Sequence, residues 1–155
     1  MHIIYHCVGG THSSAIAAAV HLGKLPMNER PKIKDLYSIP YFDTLTKKDR
    51  GRIIYRGLDI KGNKIFTLSR QFVPEIVIPA IEDTWLLAGG NKNDYILIDT
   101  MPAVNLLMKI GGFSSRRLNL VSFGRPIVAK GTLKTYPNIV NIVKNTLNTL
   151  EINDH

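Results

Sequence analysis

The sequence predicts an α/β fold of three layers, with helices on both faces of a mainly parallel sheet and a hairpin at one edge. Three observations carry that expectation. A compact apolar run, HIIYHCV (2–8), stops at Gly9-Gly10 and passes at once into an alanine-rich stretch, SSAIAAAVHLG (13–23). A second run, DYILIDT (94–100), is continuously apolar at its centre, as a parallel strand covered on both faces would be. Strand-like and helix-like segments alternate along the chain, which implies parallel strands joined by crossover helices.

Taken in order, 2–8 is a strand bounded by glycines and 13–23 a buried helix. Ser13 or the residues just before it cap that helix, and Gly23 followed by Pro26 closes it. Residues 24–50 are irregular, broken by Pro26, Pro31 and Pro40, with room for short helical pieces in IKDLYSI and PYFDTLT. Leu36, Tyr37, Ile39, Tyr41, Phe42 and Leu45 give this segment apolar groups to bury, so it is not a disordered linker. The stretch 51–69 reads as a hairpin turning at DIKGN. A helix over 73–89 begins with Pro74 in its first turn, and Pro79 should kink or split it. After the 94–100 strand come a helix over 103–112 with a glycine stop, a strand over 118–124 that 125–132 extends, and an amphipathic helix over 136–150.

At 155 residues the chain is long enough for a single α/β domain spanning 1–155, burying about two thirds of its unfolded surface. Hydrophobic residues make up 45% and charged residues 21%, an ordinary globular balance. No apolar run is long enough to cross a bilayer, and no basic segment followed by an apolar one marks a secretion signal. One cysteine, Cys7, excludes an intrachain disulfide and fits a reducing cytoplasm. A net charge of +8 implies attraction to anions. Basic residues cluster at Lys47, Lys48, Arg50, Arg52 and Arg56, and at Arg116 and Arg117. Neither cluster interleaves aromatics as a base-stacking surface does, so no motif supports a nucleic-acid partner, and a small anionic ligand is the better expectation.

The loop after the first strand carries the chemistry. Gly9 and Gly10 let backbone N–H groups approach an anion, and the following helix N-terminus adds unpaired donors and a positive dipole end. Thr11, His12, Ser13 and Ser14 add side-chain donors. Asp99, acidic at the C-terminal end of an apolar strand, is placed to hold magnesium or its water shell. GGTHSS together with YILIDT resembles the P-loop nucleotide-binding proteins, in particular the cell-division and partitioning ATPases. Their loop runs Gly-Gly, one residue, Gly-Lys-Thr-Thr, and their later strand ends Asp-Thr-Pro-Pro, against Asp99-Thr100-Met101-Pro102 here. The resemblance implies a nucleotide with magnesium as cofactor. The chain departs from it in having His12 for the last loop glycine and Ser13 for the lysine, which removes the point charge on the β- and γ-phosphates. Ser14 keeps the magnesium-binding hydroxyl.

The same stretch resembles low-molecular-weight tyrosine phosphatases, where Cys, five residues, Arg and Ser follow a strand. Here Cys7 and Ser14 are kept and Ser13 replaces the arginine. That resemblance implies a catalytic Cys7 thiolate. The residue types also allow Cys7 to be a small buried strand residue. A metal site among His2, His6, Cys7 and His12 is not expected, because His2 and His6 share one strand face and Cys7 the other. His12 is better read as a donor to an anion or a general acid or base.

Across most of its length, from MHIIYHCVGGTHSSAIAAAVHLGKLP to GLDIKGNKIFTLSR, the chain is similar to a family from spore-forming Firmicutes, domain of unknown function 3189. The resemblance implies a cytoplasmic bacterial protein and supplies no activity. Three functions follow as expectations. The first is binding of a phosphate-bearing small molecule at Gly9–Ser14 of a degenerate P-loop-like domain. The second is a non-catalytic regulatory or partner-binding module on a decayed scaffold. The third is a thiol-dependent phosphatase-like enzyme using Cys7.

Overall fold

A computed structural model of the chain describes residues 1–116 and 121–153. Four strands form one open sheet: β1 (His2–Cys7), β2 (Ile53–Leu58), β3 (Lys64–Ser69) and β4 (Tyr95–Asp99), in the order β2-β3-β1-β4. β1 runs parallel to both β3 and β4, and β2 pairs antiparallel with β3. The sheet is therefore mainly parallel, and the 51–69 hairpin ends at one edge, as the sequence predicts. Among the described residues five α-helices accompany it: α1 (Ser13–His21), α2 (Ile33–Ser38), α3 (Pro74–Leu87), α4 (Leu106–Arg116) and α5 (Val121–Asn153).

Strand alternation sorts the two faces. Ile3, Tyr5 and Cys7 point toward α1, where the Tyr5 hydroxyl lies 2.7 Å from His21 Nδ1 and Cys7 Sγ lies 3.2 Å from Ser14 Oγ. His2, Ile4 and His6 point the other way, where the His2 ring meets Trp85 of α3. All nine residues of α1 are buried, and its Ala15 and Ala17–Ala19 let the helix sit close to both the sheet and α5. Around it Ile3, Tyr5, Ile16, Leu36, Phe42, Ile65, Tyr136, Ile139 and Val143 form one core. Each such side chain contributes about 1.5–3 kcal/mol by leaving water. The opposite face is thinly covered: α3 has no buried residue.

His21 is a polar strut in this core. Its Nε2 lies 3.1 Å from Asp59 Oδ2 in the β2–β3 turn, and burial holds its pKa below the ordinary imidazole value. The ring is thus neutral, donating from Nε2 to Asp59 and accepting the Tyr5 O–H at Nδ1. Burial pushes the Tyr5 phenol well above its usual range, which keeps its proton in place.

The structure corrects several sequence expectations. Residues 121–132 are helical, part of a 33-residue α5 that runs through Pro126 and Pro137. The predicted strand over 118–124 is therefore helix from 121, and its residues 118–120 lie outside the described ones. The buried positions Val128, Thr132, Tyr136, Ile139, Val143, Thr146 and Leu150 recur every three to four residues, a helical period that a short apolar window hides. Gly111 is not a stop but a contact. A Cβ there would lie 2.5 Å from Val128 N and 2.9 Å from Gly124 O, so glycine lets α4 and α5 touch backbone to backbone. α4 starts later than predicted because Asn105 caps it, its Oδ1 accepting from Met108 N at 2.9 Å. α3 runs unbroken through Pro79. β4 is the second edge strand and is only half-buried, not covered on both faces.

Candidate functional site

The helices after β1 and β3 leave toward opposite faces, while the two strands stay paired to their ends, so the crevice at this switch of side opens beyond their C-terminal ends. Such a crevice in an open α/β sheet is where ligands bind. The β1–α1 loop crosses it. Gly10 has φ +66°, and a Cβ there would lie 2.8 Å from Ser69 N, so the loop is pressed on the end of β3. Its neighbours hold it from three sides. Gln71 N donates to Val8 O at 3.0 Å, Asp43 N donates to Thr11 O at 3.3 Å, and the Thr11 hydroxyl donates to Tyr41 O. Among the described residues Tyr41, Asp43 and Gln71 are the non-glycine ones with positive φ (66°, 54° and 56°), and all three touch this loop. Strain of this kind costs about 1–3 kcal/mol per residue and collects at functional sites.

The loop hydroxyls are largely engaged within the protein. Ser13 is fully buried, its Oγ 2.8 Å from Thr100 Oγ1, which itself donates to His6 O at 2.9 Å. Ser14 is fully buried against Cys7, and Gly10 N donates to the same sulfur at 3.2 Å. Cys7 is 4% exposed. His12 stands at the N-cap of α1, its side chain off the cap and its Nε2 2.9 Å from Asp43 Oδ1. The Asp43 side chain is fully buried and that of His12 is 13% exposed, so the pair is an oriented imidazole at the rim.

Asp99 does not join this group. It pairs in register with His6, whose side chain faces α3, while Ser14 touches Cys7 on the α1 face. The hydroxyl and carboxylate expected to share a magnesium ion thus fall on opposite faces of β1. Asp99 instead lies 3.4 Å from Arg70, a buried guanidinium whose Nε donates to His6 Nδ1 at 3.2 Å. Burial holds the His6 pKa down. Its Nδ1 accepts from arginine and carries no proton, so its 3.7 Å approach to Asp99 is a contact between a neutral ring and a carboxylate, not an ion pair. Among the described residues no three His, Cys, Asp or Glu side chains gather to hold a metal ion.

The positive charge at the loop comes from a residue that the sequence placed in a basic surface cluster. The β2–β3 register slips between Tyr55 and Gly57, which leaves Arg56 as the extra residue of a bulge. Its side chain reaches back over the sheet. Nε donates to Thr67 Oγ1 at 2.8 Å, Nη1 to Pro40 O at 2.6 Å and Nη2 to Gly10 O at 3.4 Å, with the guanidinium 5.0 Å from the centre of the Tyr41 ring. Its partners are neutral, and among the described residues it has no carboxylate. Burial lowers its pKa to about 10. Arg70 and Asp43 also escaped the sequence reading. Arg70 had a usable signal, a cation at the C-terminal end of a strand, the mirror of Asp99. Arg117 of the second basic cluster lies outside the described residues.

Two clefts lie away from this crevice, one at the N-terminal ends of the strands and one between residues 27–30 and α5. Among the described residues no helix is long and apolar enough to cross a membrane. No curated protein and no solved structure matches the chain. A family model, Protein of unknown function (DUF3189), matches residues 2–148, and with nearly its whole length covered the chain belongs to that family.

Proposed function

We propose that the chain binds a phosphate-bearing small molecule over the Gly9–Ser14 loop and the N-terminus of α1, beyond the C-terminal ends of the parallel strands. One observation carries this reading: Arg56, turned inward by a bulge and bonded among the described residues to neutral groups, brings to the loop the charge its own sequence lacks. The first turn of α1 supplies main-chain N–H donors, the Gly10 N–H being taken by Cys7 Sγ. Because Thr11, Ser13 and Ser14 serve internal bonds and His12 Nε2 is taken by Asp43, the anion is held by backbone and guanidinium. Asp99 lies on the far face, so binding does not require magnesium bridging Ser14 and Asp99.

Thermal melts with phosphate, pyrophosphate, ATP and GTP test this. A ligand at one hundred times its dissociation constant adds about 2.7 kcal/mol, or roughly 5–10 °C for a chain of this size. Arg56→Met should stay folded and lose the shift. No shift with any of the four at millimolar concentration would reject the site and favour the non-catalytic scaffold. A shift retained in Arg56→Met would reject its role.

A second reading is favoured by the two polar groups at Cys7 Sγ, the Gly10 N–H that donates to it and the Ser14 hydroxyl 3.2 Å away. In it Cys7 Sγ displaces the alcohol from a phosphate monoester to give an S-phosphocysteine, and water then releases phosphate and restores the thiol. Arg56 balances the phosphoryl charge. The burial of Cys7 argues against this reading, so native protein should resist iodoacetamide and react only on unfolding. Rapid labelling of the native protein, with loss of phosphatase activity in step, would instead establish Cys7 as the nucleophile.

A further inference from the structure

The face of the sheet that α3 leaves thinly covered carries a row of aromatic rings. The residues come from four separate elements, so no window of sequence shows it. Tyr55 of β2 meets Phe66 of β3 at 5.5 Å between ring centres, Phe66 meets His2 of β1 at 5.7 Å, and His2 meets Trp85 of α3 at 5.2 Å. The Phe66 and His2 rings are within 24° of parallel, while Tyr55 and Trp85 tilt by 59° and 60° to either side. Tyr55 is 53% exposed and the other three are half-buried, so ring surface faces solvent.

Positive charge lies along the same row. Lys64 pairs in register with His2 and is exposed, so its side chain rises from the same face. Lys61 and Asn63 of the β2–β3 turn line a cleft of about 420 Å³ whose other walls include His2, Trp85, Asn93 and Asp94. At the far end the row meets acid: Trp85 contacts Tyr95, which has Glu82 and Asp83 beside it. A polyanion would therefore be held between Trp85 and Tyr55 and turned away at Tyr95.

We propose that this face binds single-stranded nucleic acid, its bases stacking on Tyr55, Phe66, His2 and Trp85 and its phosphates meeting Lys61 and Lys64. Aromatic platforms flanked by cations bind single strands in this way, without sequence preference, because every base offers a flat face. The row is longer than one base, which favours an oligonucleotide over a mononucleotide. A duplex hides its base faces and cannot stack there. The platform runs across the α3 face of the sheet, from Tyr55 and Phe66 in mid-strand to His2 at the start of β1, away from the Gly9–Ser14 loop, so neither site depends on the other.

Trp85 is the single tryptophan of the chain, so its fluorescence reports on this place directly. A six-nucleotide single-stranded RNA should quench it, and adenosine monophosphate should do so far more weakly. A duplex of equal length should not quench it. Tyr55→Ala removes a half-exposed ring and should leave the melt intact while weakening the oligonucleotide roughly tenfold. Lys64→Ala should lower the salt dependence by about one phosphate contact. The proposal fails if no oligonucleotide quenches Trp85, or if the mononucleotide or the duplex binds as tightly as the single strand. It fails equally if Tyr55→Ala, still folded, binds unchanged.

Discussion

Gly10→Ala is expected to lower the melting temperature by about 10 °C and to abolish anion binding at the loop. Two costs combine. At φ +66° a side chain meets its own backbone, which costs about 1–2 kcal/mol. The new methyl would also lie 2.8 Å from Ser69 N and 3.0 Å from Leu68 C. Those atoms belong to β3, which is hydrogen-bonded on both sides and cannot step aside. Forcing a methyl into such a place costs about 1–3 kcal/mol. A total near 3 kcal/mol, at roughly 2–4 °C per kcal/mol for this chain length, gives the figure. Gly9→Ala is the control. Its methyl would meet only Thr11 Cγ2, at 3.5 Å, an ordinary contact, so its melt should stay close to the parent. A Gly10→Ala melt within the error of Gly9→Ala would mean that the loop is not pressed on β3, and the crevice beyond the strand ends would have a different shape.

The parts of the fold that the sequence revealed are those whose physics is local. The 2–8 strand, the turn into α1 and the hairpin around Gly62-Asn63 each have their signal within about twenty residues. They also bring Gly9–Ser14 to the C-terminal end of the parallel strands, where the structure has it. What stayed hidden depends on partners distant in sequence. The apolar run through Val121–Ala129 has strand-like composition, but it folds as helix because Gly111 admits α5 at Gly124 and Val128. Local preference gave way to packing between elements. Arg56 looked like one more surface cation of the 47–56 cluster, and a single-residue bulge turned it inward. Asp43 carries no signal in a proline-rich stretch until His12 lies 2.9 Å away.

The place of the candidate loop in the fold was legible, and the bonds its atoms make were not. Thr11, Ser13 and Ser14 have the residue types of an oxyanion cradle, and hydroxyls at a helix N-terminus commonly point at a ligand. Here the sulfur of Cys7, the hydroxyl of Thr100 and the carbonyl of Tyr41 take them up instead. A sequence cannot show which polar groups satisfy one another. In a buried loop that satisfaction is worth about 1–3 kcal/mol for each group that would otherwise be orphaned.

Ser13→Lys decides whether the loop retains the logic of a nucleotide-binding P-loop. If it does, lysine at this position points outward, meets the β- and γ-phosphates, and raises affinity for ATP about tenfold or more, the worth of a charge-assisted hydrogen bond. The observed surroundings give the opposite expectation. Ser13 is fully buried, and its hydroxyl faces Thr100 at the end of β4, not the crevice. A lysine must leave that hydroxyl without its partner and either drive four methylenes into packed space or bury its ammonium. An unpaired buried charge costs about 3–5 kcal/mol, and overpacking about 1–3 kcal/mol more. The sum is comparable to the whole stability of a small domain, about 5–15 kcal/mol. Urea unfolding of Ser13→Lys should therefore show a midpoint far below the parent, and titration with ATP and magnesium should show no gain. Ser13→Ala separates charge from mere loss of the serine. It forfeits only the Thr100 bond and should cost about 1 kcal/mol. If Ser13→Lys unfolds at the parent midpoint and binds ATP more tightly, the side chain has found a path to the phosphates. The loop would then be a P-loop that has lost its lysine, and Arg56 would not be the cation of this site.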